Sequence, residues 1–167
     1  GSPVQAAVAA GILAFGEFHG GAVEKAMENF KTYIMQKPKI VVSEFKKRGE
    51  RLSGFGHRVY SADPRTLALI EIAKKLGFWG MYVKFAEALE KELSEGAKML
   101  PLNIDGIIAA LLLEMEFNPK VGKGIFIIAR TPGIVAHVVE EAIREKPVRR
   151  LNESEFEYDG PRPRGDK

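Results

Sequence analysis

The stretch from Gly54 to Arg65, Gly-Phe-Gly-His-Arg-Val-Tyr-Ser-Ala-Asp-Pro-Arg, combines residue types that can bind an anion and hand it a proton. Its two glycines let the backbone turn with positive φ or approach a ligand closely, and they deliver His57 with Arg58 beside it and Arg65 further on. The plainer reading is a capped loop whose polar groups serve only the turn. His19, in Gly16-Glu17-Phe18-His19-Gly20-Gly21, is a second glycine-flanked imidazole: either a proton-handling group or a capping and packing residue at a helix junction. Asp105 lies between apolar neighbours at the mouth of an apolar helix. It either caps that helix or is desolvated, and a desolvated carboxyl is a competent general base near neutral pH. Arg130 interrupts the apolar row Ile125 to Ala129, and a guanidinium in such company needs an anion, internal or bound.

These groups are scattered along the chain, so the elements between them must bring them together. Residues from Pro3 to Phe15 form a helix apolar on every side, which predicts burial on every side, by a partner subunit or by a part of the fold ahead of it. An amphipathic helix runs from Ala22 to Tyr33. The segment Ile40 to Arg51 mixes apolar and basic residues, and Lys46, Lys47, Arg48 and Arg51 are either solvated helix charges or a positive field beside the loop suited to phosphate. Asp63 as N-cap and Pro64 at the first helical position open a helix that runs to Gly77 and fix Arg65 in its first turn, facing back to the loop. A helix from Met81 to Leu93 follows, ended by Gly96, with Phe78 and Trp79 pinning the turn before it. The segment Gly122 to Lys146 is helical in period, with a kink expected at Pro132-Gly133 and His137 on its packing face. The tail from Pro147 to Lys167 is too polar for core, although Phe156 and Tyr158 suggest that it docks onto a surface. Strand signals are scarce, so the fold class expected is all-α.

Composition narrows the function. The chain has 167 residues, 46% of them hydrophobic, enough for one ordinary domain or a lobe and a half of something larger. It has no cysteine, which excludes disulfides and thiolate metal sites. With 25 basic and 22 acidic residues alternating in sign, the surface is solvated and is not a nucleic-acid stripe. The longest apolar run, Ile107 to Leu113, is far short of a membrane span. No membrane or nucleic-acid partner is expected, and the expected location is the cytoplasm.

Four segments in this order, Glu17-Phe18-His19-Gly20-Gly21, Gly54-Phe55-Gly56-His57-Arg58-Val59-Tyr60 with Asp63-Pro64-Arg65, Asn103-Ile104-Asp105 and Ile128-Ala129-Arg130-Thr131, resemble the citrate synthase superfamily. The resemblance runs through essentially the whole chain. It implies an all-α, citrate synthase-like fold in which residues 1–18 and 118–167 are part of a large helical dimerisation domain. Residues 19–117 would be a small mobile domain that binds CoA and carries catalytic groups. The implied chemistry makes or breaks a carbon-carbon bond between the acetyl group of a CoA thioester and the ketone of oxaloacetate. On that reading Asp105 exchanges the methyl proton, His19 donates to the enol oxygen, and His57 exchanges a proton with the ketone oxygen. Arg65 and Arg130 fall at the family's positions for citrate or oxaloacetate carboxylates, and Arg150 is the candidate for an arginine that reaches the neighbouring subunit's site from the tail. Gly54, Phe55 and Gly56 would contact the CoA adenine, with Arg51 and Arg58 near the phosphates. No cofactor or metal is implied, since the CoA thioester is itself a substrate; a homodimer is.

Compared with the synthases, Ser61 replaces a basic residue, the loop before Asp63 is shorter, and Asp105 is followed by Gly106. These features, with the Arg150 to Tyr158 spacing, resemble citryl-CoA lyase and the corresponding module of ATP citrate lyase more than citrate synthase. Members of the family also carry helices ahead of the point where this sequence starts. The sequence therefore reads as a fragment, one part of a split enzyme, or a piece that binds CoA without turnover.

Overall fold

The computed structural model describes every residue except Phe18, Arg58, Tyr60, 96–98 and 162–167. Among the described residues seven α-helices follow one another: α1 (Val4–Leu13), α2 (Ala22–Tyr33), α3 (Pro38–Arg48), α4 (Pro64–Leu76), α5 (Met81–Ser94), α6 (Ile104–Glu114) and α7 (Val121–Arg144). A 3-10 turn, Glu153–Glu155, sits in the tail. Among the described residues there is no strand, only the isolated bridges Gly16 with Gly20 and Phe55 with Leu102. The expected all-α architecture is the one observed, and the predicted helices recur with their ends shifted by a few residues. Gly96, expected to stop α5, lies outside the described residues.

Helix α6 is the axis of the core. Gly106, Ile107, Ala109, Ala110, Leu112 and Leu113 are all buried, as a helix apolar around its circumference must be, and α2, α4 and α5 surround it. Helix α2 turns Val23, Ala26, Met27 and Phe30 inward at i, i+3, i+4 and i+7, the stripe of an amphipathic helix. Phe30 meets the rings of Phe55 and Phe85 edge to face at 6.0 and 6.3 Å. Helix α3 closes this core through its contact with α5, burying Val41, Val42 and Phe45.

Helices α1 and α7 form a second layer. They pack on each other closely enough that a Cβ at Gly11 would lie 3.0 Å from Ile134, and α7 rests on α2, where Lys120 pairs with Glu24 at 2.8 Å. The predicted all-round burial of the first helix is not met within this chain: no α1 residue is buried, because α7 covers one side alone. Helix α7 buries Gly122 alone and leaves Ile128 and Ile143 about 69% and 78% exposed. Its 24 residues reach the length and mean hydropathy, 1.2 over the best window, of a membrane span, although polar residues and glycines break every apolar run in it. It runs on without interruption through Pro132. There the Thr131 hydroxyl donates to the Ile127 carbonyl at 2.7 Å.

Three smaller expectations change. His137 is on an exposed face, its side chain 84% accessible and its Nδ1 3.7 Å from Glu140, because α7 has more surface than α1 can cover. Phe78 is partly exposed, while Trp79 packs on the core with the Lys74 ammonium 4.1 Å from its ring centre. Phe156 and Tyr158, expected to dock onto a surface, are both largely exposed against the described residues.

Candidate active site

The loop that carries His57 is built onto the start of α6. Gly54 has φ +93°, and a Cβ there would stand 2.7 Å from the Gly106 Cα, so both positions must be glycine for the backbones to touch. The Asn103 N–H donates to the Gly54 carbonyl at 3.0 Å, and the Gly56 N–H donates to the Pro101 carbonyl at 2.7 Å. Much of the loop's backbone polarity is thus spent inside the protein, which is the structural task of glycines that the sequence suggested for ligand contact. His57 emerges from this platform with its Nδ1 accepting the Val59 N–H at 3.0 Å. The proton of neutral His57 therefore sits on Nε2.

Asp105 stands one residue inside α6. The N-cap is Asn103, whose side-chain oxygen accepts the N–H groups of Asp105 and Gly106 at 3.0 and 3.1 Å, so capping is not the task of Asp105. Its carboxyl is instead half-buried and pushed above the usual carboxylate range, first by desolvation and further by Asp63; the guanidinium charges of Arg65 and Arg130 pull it part of the way back. Two arginines from separate helices thus stand close enough for Asp105 to feel both.

Arg65 is held in place. Its Nε and one terminal nitrogen grip the Asp63 carboxylate at 3.0 and 2.8 Å, and its backbone N–H donates to the same group at 3.0 Å as the cap of α4. Asp63 is fully buried, and these bonds hold its pKa below the normal value against the cost of burial, with a smaller contribution from His57. Among the described residues Arg130 makes no salt bridge to a carboxylate. It lies exposed with its guanidinium 4.9 Å from the Phe126 ring centre. The same ring meets His19 edge to face at 5.9 Å and Phe15 at 5.2 Å, while Phe15 stacks on His19 at 5.3 Å. His19 is thereby fixed at the α1 to α2 junction, within one aromatic ring of Arg130. Gly20 makes room: a Cβ there would lie 2.6 Å from Phe126.

The structure thus links His57 to Asp63 and Arg65, those to Asp105, Asp105 to Arg130, and Arg130 through Phe126 to His19. A cleft of about 670 Å³ opens beside His57. It is floored by Val42, Phe45, Leu52, Phe55, Leu93 and Leu100 and edged by Lys46 and Arg51. Phe55, Gly56 and Arg51 therefore line one cavity, whereas Gly54 is buried under the loop. Arg58 lies outside the described residues, and Arg150 is exposed on the tail with no contact to the other site residues among those described. Sequence reasoning gave no task to Asn103, Asp63 beyond its cap, or Phe126. The Asn-x-Asp pattern opening an apolar helix and the four-residue step from Phe126 to Arg130 were the available signals.

Comparison with known proteins agrees in direction. Residues 1–151 match the family described as citrate synthase, C-terminal domain. The solved citryl-CoA lyase of Hydrogenobacter thermophilus is 44% identical, with a TM-score of 0.94, over all of this chain and 68% of its own. The ATP-citrate synthase beta chain protein 2 of Arabidopsis thaliana is 28% identical over 169 residues, 90% of this chain. The citrate/2-methylcitrate synthase of Bacillus subtilis (strain 168) is 35% identical over 160 residues, 88% of this chain. The chain spans about 28% and 40% of the lengths of these two relatives.

Proposed function

For a chain that belongs to the citrate synthase family, we propose the activity of a citryl-CoA lyase, the reversible cleavage of citryl-CoA to acetyl-CoA and oxaloacetate. The observation that carries the proposal is Asp105: a half-buried carboxyl with a raised pKa, flanked by two guanidiniums that could hold the carboxylates of citrate. In cleavage the citryl hydroxyl gives its proton to Nε2 of His57 in its deprotonated form, the state that condensation leaves once Nε2–H has protonated the ketone, and the oxygen's electrons form the ketone of oxaloacetate. The carbon-carbon pair passes to the thioester as an enolate, whose oxygen His19 steadies with a hydrogen bond. Asp105 then delivers its proton to the terminal carbon, leaving acetyl-CoA. Desolvation, which favours the protonated form of Asp105, suits this direction, and condensation runs through the same groups in reverse.

Arg65 and Arg130 take the citrate carboxylates, with Arg150 offered to a second subunit. The CoA chain lies along the cleft of Phe55, Gly56 and Arg51, with Lys46 at its edge. The two-layer arrangement supports a division into a small domain, residues 19–117, and part of a large dimerisation domain, residues 1–18 and 118–167. The exposed apolar faces of α1 and α7 support a homodimer.

The lyase is preferred to a synthase on the 44% identity across the full chain and on Gly106, whose contact with Gly54 shapes the loop. The synthase reading rests on the Bacillus relative. Purified protein should release acetyl-CoA and oxaloacetate from citryl-CoA faster than it condenses them. Faster condensation would favour the synthase, and CoA binding with neither reaction would leave a non-catalytic CoA-binding module.

A further inference from the structure

We infer that Asn103 is a positioning residue that clamps the loop carrying His57 to the helix carrying Asp105, fixing the separation of the two side chains. The inference rests on the roles proposed above for His57 and Asp105. Each polar group of Asn103 is engaged. Its side-chain oxygen accepts the Asp105 and Gly106 N–H groups at 3.0 and 3.1 Å, which caps α6. Its side-chain nitrogen donates to the Gly56 carbonyl at 2.9 Å, one residue before His57. Its backbone N–H donates to the Gly54 carbonyl at 3.0 Å, and its carbonyl accepts the Ile107 N–H at 3.1 Å. The segment is tethered from the other side, where Glu90 accepts the Leu102 N–H at 2.8 Å.

A cap alone does not explain this residue type. Serine or aspartate caps a helix about as well as asparagine, but serine is too short to reach the loop as well and aspartate has no proton to donate. Asparagine has an acceptor and a donor on one rigid planar group. It can therefore hold the helix start with one atom and the loop with the other. The two catalytic segments are far apart in sequence, and small misplacements of reacting groups cost large factors in rate.

The test separates the cap from the clamp. Asn103→Ser keeps a capping oxygen and deletes the donor to Gly56; Asn103→Asp does the same with a comparable cap and serves if the serine variant folds poorly. We expect the melting temperature to stay within a few degrees. The Gly56 and Asn103 (or substituted) amides should exchange with solvent about tenfold faster or more while the α2 and α6 core amides are unchanged. The kcat for citryl-CoA cleavage should fall about tenfold or more with KM little changed. Unchanged Gly56 exchange would overturn the clamp, and accelerated exchange with unaltered kcat would overturn its positioning role. A parent chain with neither cleavage nor condensation counts against the proposed function instead, and the exchange comparison then decides the clamp by itself.

Discussion

Gly106→Ala sets two physical effects against each other. Inside a helix, alanine is favoured over glycine by about 1 kcal/mol, so propensity predicts a more stable protein. Packing predicts the reverse. The added methyl would press on the Gly54 backbone carbonyl and stand 2.6 Å from the Leu102 Cδ1. Leu102 is itself 2% exposed and walled in, and the Gly54 carbonyl is committed to the Asn103 N–H, so neither neighbour yields without breaking something. Overpacking of this kind costs roughly 1–3 kcal/mol, and pressure against backbone belongs at the upper end. The net effect is destabilisation by about 1–2 kcal/mol, a drop in melting temperature of roughly 2–8 °C for a chain of this size. Relief comes from lifting the loop by the better part of an ångström, which carries His57 away from Asp105 and should lower kcat about tenfold or more. Thermal melts and citryl-CoA cleavage measured side by side are the assay. A variant that melts higher than the parent and keeps its kcat would refute the claim that the contact between Gly54 and Gly106 sets the site.

Asp105→Asn should abolish both cleavage and condensation yet stabilise the protein relative to the parent as pH rises. The folded carboxyl binds its proton more tightly than the unfolded one, so the parent loses stability from about pH 3.9 up through the raised folded value; a stability difference that does not grow over that interval would contradict the desolvated carboxyl. In the parent, cleavage, which needs the Asp105 proton, should decline with rising pH past the same value while condensation climbs, and coincident profiles would count against the assigned exchange of roles. Asp63 behaves oppositely: its pKa is depressed, so its contribution is full above about pH 3.9 and is lost as pH falls through the folded value. Asp63→Asn should remove that acid-sensitive component and raise the KM for citryl-CoA by loosening Arg65, and unchanged acid melts together with an unchanged KM would argue against it. Ile143→Glu, at a position 78% exposed in the single chain, should leave the fold intact and weaken self-association in sedimentation equilibrium; a parent that is monomeric at tens of micromolar would dispose of the proposed dimer.

The helices were legible because their signals are local. Asp63 accepts the Arg65 N–H as the N-cap and proline rule requires, and the period of Val23, Ala26, Met27 and Phe30 marked the core face of α2. The misjudged positions depend on neighbours distant in sequence. Residues of α1, expected to be covered by a partner subunit or by a part of the fold ahead of them, are bare within this chain, since periodicity says which face is apolar and not what covers it. His137 was placed inward for the same reason and faces water.

Residue types and their order determined that this chain would be helical, would lack sulfur chemistry, and would present two imidazoles, a carboxylate and arginines in the pattern of the family to which it belongs. Tertiary structure alone decided that Asn103 and not Asp105 caps α6, that Asp105 is desolvated within reach of Arg65 and Arg130, and that Gly54 is glycine for Gly106 as well as for its turn. A cap pattern or a helical period is written in adjacent residues. Desolvation and close approach are sums over whatever the rest of the chain brings near, and no local stretch contains that sum.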